Sequence, residues 1–419
     1  MFVLIVINTK GEIFVKNLIV GQSGGPTAAI NSTLAGVIKG GIVSEKVDKV
    51  YGMVNGILGM MNGNVIDLDD LGNDAEKLSL LQKTPASYLG SCRYKMPICD
   101  EKTYEKVFEI LEKYNIGYFF YIGGNDSMDT AAKLSKYAKE HNKDIKFVGV
   151  AKTVDNDLPE MDHTPGFGSA AKYVAATVRE VATDAGVYDL KSVEIVEVMG
   201  RDAGWLAGSS VLAGIGGNGP DLIYLPECAF DLDKFYSHIE KKLKEKNHVL
   251  VVVSEGIRTA DGKYICDILP GGSKDAFGHT QLGGTGKVLE GLVKQKIGVK
   301  VRSIELNTPQ RCASHILSKT DIDEAFNLGY EAVNSAVSGN TGVVMAIKRV
   351  SDNPYSVTYE AVDVNKVANE AKTVPQDFIN KEKNFVTEKF IDYIKPLVLG
   401  EIYPEYENGV PKFLMLDVK

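Results

Sequence analysis

The sequence predicts an α/β protein in which doubly wound units repeat along most of the chain. Three observations lead there. Apolar runs of strand length alternate with helical stretches from residue 16 to about 348. Several of these runs end in glycine-marked turns that open straight into a helix, the punctuation expected of a parallel sheet. A chain of 419 residues also buries a large core and fills more than one domain.

Composition narrows the function classes. Hydrophobic residues make up 44% and charged residues 24%, as in ordinary globular proteins. The formal net charge of −8 leaves no basic footprint, so nucleic acid is not an expected partner. The five cysteines (Cys92, Cys99, Cys228, Cys266, Cys312) are scattered and form no CxxC pair. They read as reduced thiols of a cytoplasmic protein, not a disulfide framework or zinc site. The apolar start, Met1 to Ile7, is too short to span a bilayer and lacks a basic leader and cleavage site. It reads as an extra edge strand or an upstream extension over 1–15, and no membrane partner is expected.

Taken in order, Lys16 to Val20 is the first core strand. Gly21-Gln22-Ser23-Gly24-Gly25-Pro26-Thr27 follows, then a helix from about Ala28. Such glycines let a backbone approach an anion at a helix start, or they form a tight turn that binds nothing. No Gly-Lys-Ser/Thr closes the loop, so it is not a Walker A motif. Val50 to Val54 is the second strand. Arg93 and Lys95, beside Gly90-Ser91, suit either a phosphate contact or a solvated loop. Tyr104, Val107, Phe108, Leu111 and Tyr114 fall on one face of a helix over 101–114 and belong to the core.

Tyr118 to Ile122 is a buried strand that runs into Gly123-Gly124-Asn125-Asp126-Ser127 and another helix. Asn125 and Asp126 offer oxygen ligands for Mg²⁺. The same residues, with Ser127, also suit a helix N-cap. Phe147 to Val150 leads into Ala151-Lys152-Thr153-Val154-Asp155-Asn156-Asp157. Two carboxylates two residues apart, with a lysine three before the first, meet the needs of phosphoryl transfer. One acid takes the proton of an attacking hydroxyl, and a cation steadies the charge on the moving group. The alternative is a polar turn before Pro159.

Further on, Ser192 to Val198 is a strand ending at Met199-Gly200-Arg201, where the arginine is placed to grip a phosphate or sugar. Leu222 to Leu225 is a short strand, and the lysine-rich helix 232–246 shows a solvated face. Val249 to Val253 ends at Glu255, which joins the strand-end acids. Leu282 to Lys287 is a helix start. Val301 to Leu306 is a strand carrying Arg302, followed by Asn307-Thr308-Pro309-Gln310-Arg311. Gly342 to Lys348 closes the repeating pattern. The tail holds a possible strand at Tyr355 to Val362 and a helix around Phe385, Phe390, Ile391 and Ile394, with no motif.

These motifs, in this order and rough spacing, resemble the phosphofructokinases. The resemblance covers about 16–348 and rests on Gly24-Gly25, the Gly123 to Ser127 turn, Thr153 to Asp157, Met199-Gly200-Arg201, Glu255, Arg302 and Gln310-Arg311. It implies two doubly wound Rossmann-like domains with the active site in the cleft between them, plus a C-terminal extension. The phosphate-donor domain would span 16–165, completed by part of 312–350, and the fructose 6-phosphate domain 166–311, with 351–419 as a wrapping segment.

The resemblance also implies roles. Asp155 looks like the base that deprotonates the sugar 1-hydroxyl, with Asp157 beside it near the metal and Lys152 as catalytic cation. Gly24, Gly25, Arg93, Gly124, Asp126 and Ser127 look like donor contacts. Thr153, Met199, Gly200, Arg201, Glu255, Arg302, Thr308 and Arg311 look like the sugar-phosphate pocket. Some basic residues of this family reach across from a neighbouring subunit, which implies a homodimer or homotetramer. ATP-using members carry glycine-like positions where Asp126 and Lys152 stand. Asp126 would exclude a nucleotide α-phosphate, and Lys152 would stabilise a pyrophosphate leaving group. The implied reaction is reversible, Mg²⁺-dependent transfer from pyrophosphate to fructose 6-phosphate. ATP-dependent transfer, or a non-catalytic sugar-phosphate-binding protein on the same fold, are the alternatives. Asn125, Thr308 and Ser192 depart from residues common in the family, which bears on metal and sugar affinity.

Overall fold

The computed structural model describes residues 15–98, 100–268 and 284–416. The expected N-terminal strand, Cys99 and the first part of the expected helix start at Leu282 lie outside the described residues. Two sheets form where the apolar runs stand. The first contains β1 (Lys16–Gln22), β2 (Val47–Met53), β3 (Val65–Asp67), β4 (Ile116–Gly123) and β5 (Lys146–Ala151). The second contains β6 (Ser192–Val198), β7 (Leu222–Tyr224), β8 (His248–Ser254) and β9 (Lys300–Glu305). A two-residue strand, β10 (Leu317–Ser318), follows. The chain then returns to the first sheet with β11 (Val343–Asp352) and β12 (Tyr355–Asp363).

The first sheet runs β12-β11-β5-β4-β1-β2-β3, and the second runs β7-β8-β6-β9. Pairings along β11-β5-β4-β1-β2 are parallel; only the edge strands β12 and β3 are antiparallel. The second sheet is parallel throughout. Parallel strands covered on both faces need apolar side chains all along, and Leu18, Ile19, Val20, Phe119, Phe120, Val148 and Val150 are completely buried. Crossovers leave β1 and β4 in opposite directions, which makes a switch point between these neighbours.

The last part of the chain ties the halves together. The helix Lys319–Val337 crosses the helix Ile30–Val43 so closely that a Cβ at Gly36 would lie 1.9 Å from the Phe326 carbonyl oxygen, and one at Gly329 2.1 Å from that of Thr33. β12 lies beyond the expected end of the repeating pattern near 348 because β11 turns back at Asn353-Pro354 and pairs antiparallel with it. Val374, Ile379, Val386, Phe390, Ile394 and Leu397 then pack around Trp205 in the core of the second half. Leu414 packs against the core of the first.

Candidate functional site

The functional side chains sit on the carboxyl ends of parallel strands because each apolar run is followed at once by its polar turn. β1 is followed by Ser23-Gly24-Gly25, β4 by Gly124 to Ser127, β5 by Lys152 to Asp157, β6 by Met199 to Arg201, and β8 by Glu255. One cleft draws lining from all of them. Gly24, Gly25, Arg93, Gly124, Asn125, Asp126, Ser127, Lys152, Thr153, Asp155, Asp157, Met199, Arg201, Glu255 and Arg311 line it, with Asp202 as an added carboxylate.

Three sequence-predicted residues stand elsewhere. Gly200 is a brace behind the wall, its N–H directed at Glu255 Oε1 at 3.4 Å. Arg302 is exposed on the edge strand β9, opposite Glu194 on β6, and lines a separate hollow with Asp184, Tyr188 and Ser192. Thr308 is exposed at the start of the short helix Pro309–Cys312. Edge position and loop exposure turn both away from the cleft of their own chain.

Lys152 is the buried cation of the site, only 3% exposed. Its Nζ donates to the Gly25 carbonyl oxygen at 2.6 Å. Burial pulls its ammonium down to about 8, against the attraction of Asp155. Asp155 and Asp157 stand partly open to the cleft. Removal from water, reinforced by Asp157, pushes Asp155 up to about 7. Burial also raises Asp157, while Lys372 pulls it back. Glu255 is pushed up to about 7 by burial and by Asp155. The cleft therefore holds carboxylates poised near neutrality beside a lysine that keeps its proton there, the pairing that proton transfer and charge stabilisation both require.

The turn is braced both from within and from the tail. Asn156 takes the left-handed conformation at φ 54°, which asparagine tolerates. Its Oδ1 accepts from the Thr164 N–H at 3.1 Å, and its Nδ2 donates to the Tyr393 hydroxyl at 2.9 Å. The Thr153 hydroxyl accepts from the Asp155 N–H at 3.1 Å. On the opposite wall, Arg258 pairs with Asp202 at 2.7 Å and donates to the Arg201 carbonyl at 3.2 Å, fixing the Arg201 turn. The Gly24 loop is held by Ser91, whose hydroxyl donates to the Gly24 carbonyl at 2.7 Å.

Asn125 is turned toward the tail. Its Oδ1 accepts from the Asn369 N–H, and its Nδ2 donates to the Glu370 carbonyl at 2.6 Å. Asp126, exposed in the cleft, is the acid this turn presents. Among the described residues, no group of three or more His, Cys, Asp or Glu side chains converges as a metal cage. That donor set fits Mg²⁺ rather than a caged ion, because Mg²⁺ is held by one or two carboxylates together with substrate phosphates.

Sequence reasoning missed Lys372, Tyr393 and Trp205. Lys372 and Tyr393 come from a tail with no motif, and Trp205, four residues after Arg201, carries no reactive group to mark it, so only the fold brings them to the acid turn. Asp202 was visible beside Arg201 but had no assigned part.

Comparison with known proteins gives the chain a family and relatives that span its length. The Phosphofructokinase family matches residues 17–305. The pyrophosphate--fructose 6-phosphate 1-phosphotransferase of Halomonas elongata is 41% identical over 406 residues, covering 96% of each chain. That of Xanthomonas campestris pv. campestris is 43% identical over 406 residues, again covering 96% of each. The crystal structure of pyrophosphate-dependent phosphofructokinase from Nitrosospira multiformis superposes with a TM-score of 0.87 at 36% identity, covering 96% of both chains.

Proposed function

Since the chain belongs to the phosphofructokinase family, we infer that it transfers a phosphoryl group reversibly between pyrophosphate and the 1-hydroxyl of fructose 6-phosphate, giving fructose 1,6-bisphosphate and phosphate. The observation that carries this reading is the pairing of Asp126 and Lys152 in one cleft with Asp155. Asp126 puts a side chain and negative charge at the mouth where a nucleotide would extend. Lys152 supplies a buried cation where a pyrophosphate leaving group gathers charge.

In this reading Asp155 accepts the proton of the sugar 1-hydroxyl as that oxygen attacks the terminal phosphorus. Asp157 keeps the proton affinity of Asp155 high, near neutrality. Gly24, Gly25, Arg93, Gly124 and Ser127 receive the donor phosphates. Thr153, Met199, Arg201, Glu255 and Arg311 receive the sugar phosphate. Asp126, with phosphate oxygens, would hold Mg²⁺, which neutralises phosphate charge when bound. Asn125, bound to the tail, holds Asp126's turn in place.

The reading extends to a homodimer or homotetramer in the cytoplasm. The exposure of Arg302 on an edge strand, away from its own cleft, supports a contribution to a neighbouring subunit. No helix among the described residues is long and apolar enough to cross a membrane.

The test is turnover of fructose 6-phosphate with Mg²⁺, offering pyrophosphate and ATP separately at matched concentrations. Turnover with pyrophosphate alone is expected. Turnover with ATP alone would overturn the donor assignment, and activity with neither would overturn the reaction.

A further inference from the structure

We propose that Lys372, supplied by the tail, is a positioning residue for the reaction: from behind the cleft it fixes the turn that carries Asp155 and Asp157. This rests on the transfer reading above for its kinetic part, but the geometry stands on its own. The Lys372 Nζ has three donors, and three acceptors surround it. They are the Asp162 carbonyl at 2.7 Å, the Met161 carbonyl at 3.2 Å and Asn156 Oδ1 at 3.3 Å. All three belong to the segment that begins at the acid pair. The backbone joins in, since the Lys372 N–H donates to the Asp157 carbonyl at 2.7 Å.

The residue is anchored on its far side to the second half of the molecule. Its carbonyl accepts from the Trp205 indole Nε1 at 3.1 Å, and its ammonium lies 5.1 Å from the centre of that ring system. Two residues later, the Val374 N–H donates to Glu227 Oε1 at 2.8 Å, and the same oxygen accepts from the Gly204 N–H at 2.9 Å, beside the Arg201 turn. Two to three residues earlier, Asn369 and Glu370 hold Asn125. One six-residue strap, 369–374, therefore touches the donor turn, the acid turn and the sugar-side wall.

The strap supplies no side chain to the cleft lining. Its effect is on placement. A misplacement of about 1 Å at a reacting group costs on the order of 100-fold in rate. The charge-assisted bonds from one ammonium to three points of a short turn add to the Thr153, Thr164 and Tyr393 contacts that limit such movement.

The test compares wild type, Lys372→Met and Lys372→Arg, with melting temperature measured on each. Steady-state kinetics are run in the pyrophosphate direction, and amide hydrogen exchange is followed by peptide. The expected result for K372M is a 10- to 100-fold loss of kcat with KM for fructose 6-phosphate within about threefold. Faster exchange should be confined to peptides covering 153–163. K372R keeps the charge but its planar head cannot reach all three acceptors, so it should lose about fivefold or more in kcat. Native kcat and native exchange at 153–163 in either folded variant would overturn the proposal. So would exchange that rises equally in the helix Glu388–Ile394, which would mark a general loosening of the tail. If K372M fails to fold, K372R decides by the same two readouts. Absence of wild-type turnover with pyrophosphate would fail the transfer reading alone, and local exchange would still decide the role of Lys372.

Discussion

Lys152 Nζ and the Gly25 carbonyl oxygen lie 2.6 Å apart, joined across the end of β4, the strand between their own strands β5 and β1. The buried ammonium thus rests against the glycine loop after β1 and is held there by the protein's own backbone. Lys152→Met should lower kcat by about 100- to 1,000-fold with a much smaller change in KM for fructose 6-phosphate, because the charge it meets grows in the transition state. Steady-state kinetics on the folded variant check this.

With Asp155 as the proposed base, Asp155→Ser should reduce kcat by about 100- to 10,000-fold. Binding of fructose 6-phosphate, measured by calorimetry, should persist within a few fold. Turnover near the native level would show that another group takes the proton.

The two titrations set a pH window. Asp155 must be ionised to act as base, and its carboxyl is pushed up to about 7. Lys152 must be protonated to stabilise charge, and it is pulled down to about 8. The profile of kcat/KM should therefore be bell-shaped, falling below about pH 7 and above about pH 8. Because arginine keeps its proton, Lys152→Arg should lose the alkaline limb while retaining the acid limb, at a lower plateau. A variant profile with both limbs in place would assign the alkaline limb to another group.

Asp126→Gly tests donor choice. Removing the carboxylate and its volume should let ATP support measurable turnover and lower the rate with pyrophosphate. An unchanged ratio of the two rates would show that Asp126 does not govern the donor.

Much of this site was legible because chemistry and strand ends coincide in the sequence. Phe147 to Val150 reads as a buried strand, and Lys152 to Asp157 follows after Ala151 alone, so the acid turn had to lie at the carboxyl end of a parallel strand. Gly123 to Ser127 and Met199 to Arg201 are legible for the same reason. Arg302 and Thr308 show the limit. A strand register and its edge position decide where a side chain on β9 points, and neither is written in local pattern. Lys372 shows the second limit. Its partners at Asn156, Met161 and Asp162 are more than 200 residues away in the chain, and nothing in Ala371-Lys372-Thr373 marks it. The antiparallel return of β12 was legible as a strand but not as part of the first sheet.

A buried charge cluster beneath the acid turn affects stability. His163 is held between Asp162 at 2.8 Å and Glu324 at 2.5 Å, and Tyr355 donates to Glu324 at 2.7 Å. Burial opposes its charge, but the two carboxylates win and raise it from 6.5 to about 9. Its folded value lies above its unfolded one, so its stabilisation is complete below about pH 6.5 and is lost as pH rises through about 9. The shift corresponds to something on the order of 3 kcal/mol. Melting temperature should drop across that range in the wild type, and His163→Gln should flatten the drop while lowering stability at pH 6.

The residues lining the cleft all come from the first three quarters of the chain, the last of them being Arg311. Yet the sheet that carries most of them receives β11 and β12 only afterwards, and the strap at 369–374 comes later still. During synthesis from the amino end, the reactive groups are therefore made long before the scaffold that aligns them. A chain ending after Arg311 would carry every residue of the cleft lining and lack the strands and the strap that brace them.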